Sequence, residues 1–380
     1  MIPQGFQFAG ARCGLKNRRN DIGFIISEVP ASVAGVFTGN LVHAACVDYS
    51  REVVGSGTLR AIVVNSGNAN CCTGEQGERD TVRMAELAGA ALGLRTDEIA
   101  VASTGIIGHL LDMVKVEKGI DLASKALGFD PKPFMDAILT TDLVEKSASA
   151  SVGGGLLYGV AKGSGMIAPN MATMLAFVVT DLVVPTDRLV KAWSIAVERS
   201  FNCLTVDGDT STNDMAIVMA NGASGIEVSD EELIAGLEEV CVSLAKQVAR
   251  DGEGATKLVE VVVTGTSDPV RVARTIAESP LVKTAMFGCD PNWGRILAAA
   301  GRSGVDFDPN LATLTIQSAG EDHILFENGA PAAFDAKRVS TALKSDHVVI
   351  DLRLGDGETA RIYTCDFGYG YVRINAEYHT

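Results

Sequence analysis

The sequence predicts a mixed α/β protein of the α+β class, long enough for two domains or one large one. The chain has 380 residues, of which 47% are hydrophobic, so it has ample material for a large core. Amphipathic helical segments and short β-rich runs are mixed along its whole length. Several β-rich runs follow one another directly, which favours antiparallel or mixed sheets.

The first part of the chain predicts three strands and three helices. Clusters of β-branched and apolar residues indicate strands, and Ala, Leu and Met at helical spacing indicate helices. The strands are Ile22–Ser27, Arg60–Val64 and Glu98–Ala102, and the helices are Glu78–Leu92, Val116–Leu127 and Pro133–Leu139.

The remainder predicts five strands and four helices. Met174–Val184 is too apolar for a strand with one wet face, so we expect it to be buried. Acidic residues after Ser229 suit the start of a helix. The other strands are Leu258–Gly265, Ala312–Gln317, His347–Leu354 and Ala360–Asn375, and the helices are Thr186–Arg199, Ser229–Arg250, Asn292–Ala300 and Ala336–Leu343.

Charge and hydropathy argue against nucleic-acid and membrane roles. The formal net charge is −15, and no run rich in Lys and Arg supplies the basic face that a nucleic acid requires. No apolar stretch is long enough to predict a membrane span. The N-terminal residues lack the basic and apolar segments of a secretory signal. We therefore expect a cytoplasmic protein.

The eight cysteines predict neither a disulfide framework nor a zinc site. Apart from Cys71 and Cys72 they are scattered, and no C-x-x-C occurs. We expect reduced thiols that are mostly buried. The segment "DGDTSTND" at Asp207–Asp214 lacks the glycine and the distal glutamate of a calcium loop, so a polar turn near a ligand is the better interpretation. We expect no metal and no cofactor.

Glycine turns mark three further candidate segments. "VNSGNANCCTGEQG" (Val64–Gly77) follows a predicted strand and either directs backbone N–H groups at an anion or forms an ordinary turn. "STGIIG" contains Thr104 and Gly105, which offer a hydroxyl and an N–H to a developing oxyanion. "RDGEGATK", which surrounds Glu253, is typical of the turn that ends a helix.

One threonine stands out in "KGSGMIAPNMATMLAF" (Lys162–Phe177). A threonine hydroxyl needs a base to act as a nucleophile. If the chain is cut between Ala172 and Thr173, the new α-amine of Thr173 serves as that base, because such amines titrate near ~7.7–8.0. The residues alone leave a second interpretation open, a loop that enters a core strand.

The segment "KGSGMIAPNMATMLAFVVTD" (Lys162–Asp181) closely resembles the self-cleavage region of the ArgJ family, the glutamate N-acetyltransferases or ornithine acetyltransferases. The resemblance extends over essentially the whole chain, and its motifs occur in family order. The others are "AGVFTGN" (Ala34–Asn40), "VNSGNAN" (Val64–Asn70), "STGIIG" (Ser103–Gly108), "TTD" (Thr140–Asp142), "GEGATK" (Gly252–Lys257), "DPNWGRILAAAGRSG" (Asp290–Gly304) and "VRINAEYHT" (Val372–Thr380).

The resemblance implies a processed, oligomeric protein. The precursor would cleave itself between Ala172 and Thr173 into an α chain, residues 1–172, and a β chain, residues 173–380. Two of each chain would form a heterotetramer. The implied fold is the four-layer α/β/β/α sandwich shared with the DmpA-type aminopeptidases, with a smaller C-terminal α/β domain.

The resemblance also implies a ping-pong acetyl transfer in arginine biosynthesis. Thr173 would take acetyl from N2-acetyl-L-ornithine, release L-ornithine, and pass the acetyl group to L-glutamate to give N-acetyl-L-glutamate. Thr104 and Gly105 match the oxyanion pair. The substrate-contacting positions are Thr140, Lys162, Thr173, Glu253, Asn375 and Thr380.

The residues leave the acetyl donor undecided and allow two other hypotheses for the function. Some family members also use acetyl-CoA to acetylate glutamate, and the residues do not separate the two types. A second hypothesis is an N-terminal-nucleophile amidohydrolase or aminopeptidase, in which water accepts the acyl group. A third is a metabolite-binding relative without catalysis, which the retained Thr104, Lys162, Thr173 and Glu253 disfavour.

Overall fold

The computed structural model describes residues 1–168 and 174–377. These residues form two compact units. The first contains Met1–Asn202 and Thr210–Leu244, and the second contains Cys203–Asp209 and the described residues from Ala245 onward. The first unit therefore takes residues from both sides of the predicted cleavage point.

The first unit is built on a mixed sheet of eight strands among its described residues. Strands β2 to β8 have the order β4-β3-β2-β8-β7-β6-β5, and β1 pairs with β2 off this path. The strands are β1 (Phe6–Ala11), β2 (Ile22–Phe37), β3 (Thr58–Asn68), β4 (Ile99–Ile106), β5 (Lys146–Val152), β6 (Gly155–Lys162), β7 (Leu175–Thr180) and β8 (Met215–Ala220).

Six α-helices begin among the described residues of the first unit. α2 has its buried residues on one face, as its amphipathic sequence predicts, and ends at Gly93 in the left-handed conformation. The helices are α1 (Ala45–Gly55), α2 (Gly74–Leu92), α3 (Met113–Ser124), α4 (Lys132–Ile138), α5 (Thr186–Glu198) and α6 (Asp230–Arg250).

The two central strands β7 and β8 explain how the segment after Thr173 is held. Every residue of both strands is buried, which confirms the expectation for the apolar run after Met174. The strands pair in parallel, with Leu175 opposite Met215. On its other side β7 pairs antiparallel with β6, where Leu175 lies opposite Lys162. Buried apolar side chains on both faces thus fix the register at this end of the sheet.

In the part of the second unit that the structure describes, six strands form a mixed sheet in the order β12-β11-β10-β13-β9-β14. Its core packs the valine-rich β9 against α7 and its neighbours. The elements are β9 (Leu258–Thr264), α7 (Pro269–Ala277), α8 (Pro280–Phe287), α9 (Trp293–Gly301), β10 (Thr313–Ser318), β11 (Glu321–Glu327), β12 (Ala330–Pro331), α10 (Ala336–Ala342), β13 (His347–Arg353), β14 (Thr359–Cys365) and α11 (Tyr369–Glu377).

The predicted fold class is confirmed, since both units combine helices with a mixed sheet and the second unit is the smaller. No helix in the described ranges has the length and apolar character to cross a bilayer. All eight cysteines lie in the described ranges and are free, five of them buried.

One predicted strand is wrong. Ala360–Asn375 is strand only as far as Cys365, and helix α11 follows from Tyr369. The buried carboxylate of Asp366 accepts the backbone N–H groups of Thr256 and Lys257, at 2.8 and 3.1 Å, which takes the chain out of the sheet. Short apolar runs do not separate strand from helix by periodicity alone.

The buried carboxylate of Asp21 is predicted to stabilise the first unit. It accepts backbone N–H groups from Cys13, Gly14 and Lys16 at 2.7–3.0 Å. Burial raises its pKa, but these hydrogen bonds outweigh burial and lower it below the ordinary value of 3.8. Its contribution is therefore present above pH 3.8 and is lost as the pH falls through the lower folded-state pKa.

We expect Asp21→Ala to lower the free energy of unfolding by about 3 kcal/mol at pH 7, because three donors lose their acceptor. The exposed Asp97→Ala is the control and should leave stability unchanged. Urea denaturation at pH 7 and at pH 3 measures both variants. Equal losses for Asp21→Ala at the two pH values would contradict the linkage.

Candidate active site

The predicted oxyanion pair lies at the end of strand β4. Thr104 and Gly105 pair in parallel with Ser66 and Gly67 of β3, and the register shifts at Asn68. Gly105 has φ of +136°, and a Cβ at this position would lie 2.4 Å from the carbonyl carbon of Gly67. Only glycine fits there, because backbone atoms cannot yield as a flexible side chain can. The local bulge turns the two strand ends away from regular pairing.

The side-chain amide of Asn213 joins this strand end to the start of β8. Its Nδ2 donates to the carbonyl oxygens of Ala69 at 2.6 Å and Ser103 at 2.9 Å. At the start of β8, the N–H of Met215 donates to the carbonyl of Met174 at 3.0 Å. Asn213 thus binds Ser103, the residue before Thr104, and Met215 binds Met174, the residue after Thr173. Because Asn213 and Met215 are two positions apart, Ser103 and Met174 lie close together.

Two of the predicted substrate contacts, Thr140 and Lys162, meet in the structure. The Nζ of Lys162 lies 3.5 Å from Oγ1 of Thr140. Lys162 ends strand β6, and Thr140 follows α4. The carboxylate of Asp142 organises this region by accepting the backbone N–H of Thr140 at 3.0 Å and that of Gly163 at 2.7 Å. The hydroxyl of Thr140 thus lies beside the ammonium group of Lys162.

Asp142 is also one half of a fully buried ion pair. Its Oδ1 lies 2.7 Å from Nζ of Lys146, and neither side chain is exposed. Burial alone raises the pKa of Asp142, but the charges of Lys146 and Lys162 and the hydrogen bonds lower it to about 2. Asp142 is thus ionised at neutral pH and contributes a fixed negative charge near Lys162.

A second buried acid, Asp214, has a pKa that is shifted in the opposite direction. Its Oδ2 has no hydrogen-bond partner among the described residues. Burial raises its pKa well above the usual range, and the hydrogen bonds with Ser211 and the charge of Lys162 lower it only in part. Burial thus disfavours the charged form of Asp214, because one carboxylate oxygen lacks a compensating donor.

The second unit brings Glu253 and Asn375 together. The Nδ2 of Asn375 donates to Oε2 of Glu253 at 2.7 Å, and also to the carbonyl of Tyr371 at 3.1 Å. Glu253 is buried in the turn after α6. Gly254 has φ of +70°, and a Cβ there would lie 2.3 Å from the backbone nitrogen of Tyr371, so α11 begins directly against this turn. The turn predicted at the helix end therefore also carries a polar pair.

Three predicted site residues lie outside the described residues, namely Ala172, Thr173 and Thr380. The sequence did not identify Asn213, Asp142 or Asp214 as candidate site residues. Their signal was present in the polar motifs "TTD" and "DGDTSTND", which place acids and amides beside buried strands. Within the described ranges no cluster of three or more His, Cys, Asp or Glu has the arrangement of a metal site.

The buried ion pair of Asp142 and Lys146 yields a test of stability. We expect Asp142→Leu and Lys146→Met each to lower the free energy of unfolding by about 3–5 kcal/mol, because each leaves a buried charge unpaired. The double variant should lose less than the sum of the two single variants. Urea denaturation measures the cycle, and additive losses would show that the two charges do not depend on each other.

Comparison with known proteins identifies the family. The family model described as "ArgJ family" matches residues 7–380. The chain is similar to the arginine biosynthesis bifunctional protein ArgJ of Thermotoga neapolitana, with 46% identity over the whole of both chains. It is 47% identical to the protein of the same name from Thermus thermophilus, over 100% of this chain and 99% of that one.

Among solved structures, the ornithine acetyltransferase of Mycobacterium tuberculosis, complexed with ornithine, is 36% identical. The match covers 45% of this chain and 94% of that chain, with a TM-score of 0.42. The family model and the full-length relatives each cover nearly the entire sequence. The chain belongs to the ArgJ family.

Proposed function

We propose that the protein is a glutamate N-acetyltransferase of arginine biosynthesis that works through an acetyl-threonine intermediate. The observation that carries the proposal is the full-length similarity, at 46% and 47% identity, to proteins named for a bifunctional role in arginine biosynthesis. The name "bifunctional" supports acetyl-CoA as a second acetyl donor to glutamate. The reaction needs no further cofactor, because acetyl passes from one amine to another.

The first step we propose is cleavage between Ala172 and Thr173. The new α-amine of Thr173 then accepts the hydroxyl proton as Oγ attacks the acetyl carbonyl of N-acetylornithine. The C–N bond breaks, the amine takes up a proton, and ornithine leaves. Glutamate then attacks the ester, forms N-acetylglutamate and restores the threonine.

Thr104 and Gly105 would stabilise the oxyanion in both half-reactions. The rigid approach of Gly105 to Gly67 supports this role, since fixed donors need little reorganisation as charge develops. The loss of one such donor would therefore slow acetylation and deacetylation alike.

The predicted substrate contacts are of residue types that suit the charged ends of the substrates. Lys162, with Thr140 beside it, would bind a substrate carboxylate. Glu253 would bind the cationic side-chain amine of ornithine. In the structure, the carboxylate of Glu253 already accepts a hydrogen bond from Asn375. Thr380 would supply a further neutral contact. We also propose the cytoplasm as the site of action and a heterotetramer of two α and two β chains as the working form.

Hydrolysis is the alternative outcome of the same chemistry, since water can accept the acetyl group from Thr173. Purified protein should be incubated with N-acetylornithine or acetyl-CoA, in the presence of glutamate, ornithine or water alone. We expect ornithine release that depends on glutamate and yields N-acetylglutamate. Ornithine release at the same rate without glutamate would favour an amidohydrolase.

Replacement of the proposed nucleophile tests cleavage and transfer together. We expect Thr173→Ala to give one uncut chain on a denaturing gel and no acetyl transfer. Thr173→Ser is the matched control, because it keeps a hydroxyl, and it should yield two fragments and residual activity. Two fragments from Thr173→Ala would show that the cut lies elsewhere.

Replacement of Glu253 tests recognition of ornithine. We expect Glu253→Gln to raise KM for N-acetylornithine about 10-fold or more, because a hydrogen bond to a charged group contributes about 1.5–3 kcal/mol. The KM for glutamate should change less. Glu238→Gln, on α6, serves as the control with unchanged kinetics. A lower melting temperature with normal kinetics would make Glu253 only a residue at the end of a helix.

A further inference from the structure

Two adjacent cysteines form a feature that the proposed transfer reaction does not use. The Sγ atoms of Cys71 and Cys72 lie 3.8 Å apart in the loop between β3 and α2. Of the eight cysteines, all within the described ranges, Cys72 alone is exposed, and Cys71 is buried directly behind it. One thiol therefore faces solvent while its neighbour is within side-chain rotation of it.

The loop is shaped to present Cys72. Asn70 and Cys72 both have positive φ, of 47° and 57°, which is uncommon for residues other than glycine. The side chain of Asn70 maintains this conformation by donating to the carbonyl of Gly77 at 2.8 Å. Cys72 lines a cavity of about 360 Å³ together with Tyr49 and other residues. A small solute thus has access to the Cys72 thiol.

The buried member, Cys71, is connected to the strand that carries the oxyanion pair. Its carbonyl accepts the N–H of Gly108 at 3.0 Å, just beyond β4. Two positions before Cys71, the carbonyl of Ala69 accepts a hydrogen bond from Nδ2 of Asn213 at 2.6 Å. The same Nδ2 donates to the carbonyl of Ser103 at 2.9 Å. A shift of the backbone at Cys71 would therefore act directly on Gly108 and, through Ala69 and Asn213, on Ser103, the residue before Thr104.

We propose that Cys71 and Cys72 form an oxidative modification site. A peroxide oxidises the two thiols to a disulfide, and this disulfide displaces β4, the strand that carries Thr104 and Gly105 and is called the oxyanion strand below. The Cys72 sulfur attacks a peroxide oxygen, the O–O bond breaks, and a sulfenic acid and one water form. Cys71 then attacks that sulfur, the S–S bond forms, and the sulfenic oxygen leaves as a second water. Two thiols are oxidised and one peroxide is reduced.

The order of the two steps follows from burial. Burial raises the pKa of the Cys71 thiol, so the exposed Cys72 reacts with the oxidant first. The product is expected to be readily reduced. Consecutive Cα atoms are only about 3.8 Å apart, below the usual spacing of about 4.4–6.8 Å, and strained disulfides are the labile ones.

Mass mapping tests the modification without reference to activity. Trypsin cuts after Arg60 and Arg79 and releases residues 61–79, which contain Cys71 and Cys72 and no other cysteine. Reduced whole protein is treated with hydrogen peroxide and digested after free thiols are blocked. We expect this peptide to lose two hydrogen atoms and to regain them with dithiothreitol.

Variants separate the two cysteines. Cys71→Ser should gain one oxygen at Cys72 without ring closure, and Cys72→Ser should lose the reaction. Cys289→Ser, a partly buried cysteine of the second unit, is the matched control and should oxidise as the wild type does. The site is overturned if residues 61–79 show no loss of hydrogen, or if Cys71 is instead joined to residues 20–51, which contain Cys46.

Displacement of the oxyanion strand should slow acetyl transfer, an expectation that rests on the proposed function. The rate of glutamate-dependent ornithine release measures it. We expect peroxide to lower this rate about tenfold in the wild type, since removal of an oxyanion donor costs about 10²–10³ and displacement costs less. Dithiothreitol should restore it, and Cys72→Ser should resist peroxide. A disulfide that leaves the rate unchanged would overturn the coupling. No transfer by the reduced protein would count against the proposed function alone, because the mapping still tests the disulfide.

Discussion

The buried side-chain amide of Asn213 is the interaction on which the arrangement of the candidate site in the first unit depends. It donates to the carbonyls of Ala69 and Ser103, which lie just after β3 and within β4. Its own chain continues into β8, whose first N–H binds Met174. Asn213 and Met215, two positions apart, thus link β4, which carries the predicted oxyanion pair, to Met174. Because its two donors are buried, their loss would leave unpaired carbonyl groups and free the strand ends to separate.

The two buried acids near Lys162 differ because their hydrogen-bond donors differ. Asp142 accepts two backbone N–H groups and the Lys146 ammonium, and these interactions outweigh the effect of burial. Asp214 has an oxygen without a donor among the described residues, so the effect of burial prevails and raises its pKa. The hydrogen-bond donors and neighbouring charges, rather than the residue type, therefore determine the direction in which each pKa moves.

Local sequence predicted the buried strand after Met174 and most of the helices, because their patterns are set by burial of one or both faces. It was wrong for the residues after Cys365, where the carboxylate of Asp366 binds a turn more than a hundred positions earlier and ends the strand. The same limit applies to the site. The contact of Lys162 with Thr140 and the role of Asn213 depend on which strands become neighbours, and periodicity carries no information about that pairing.

The glycines explain why the sequence alone left two interpretations of the glycine turns open. At Gly105 and Gly254 the backbone has positive φ, and an added Cβ would lie 2.4 and 2.3 Å from backbone atoms of Gly67 and Tyr371. Each glycine is required by a close approach of two backbones, which is a structural need. The same approach fixes Thr104 in one unit and holds Glu253 beside Asn375 in the other. The structural and functional interpretations of these glycine turns are therefore compatible, since each turn determines the position of the neighbouring polar residue, Thr104 or Glu253.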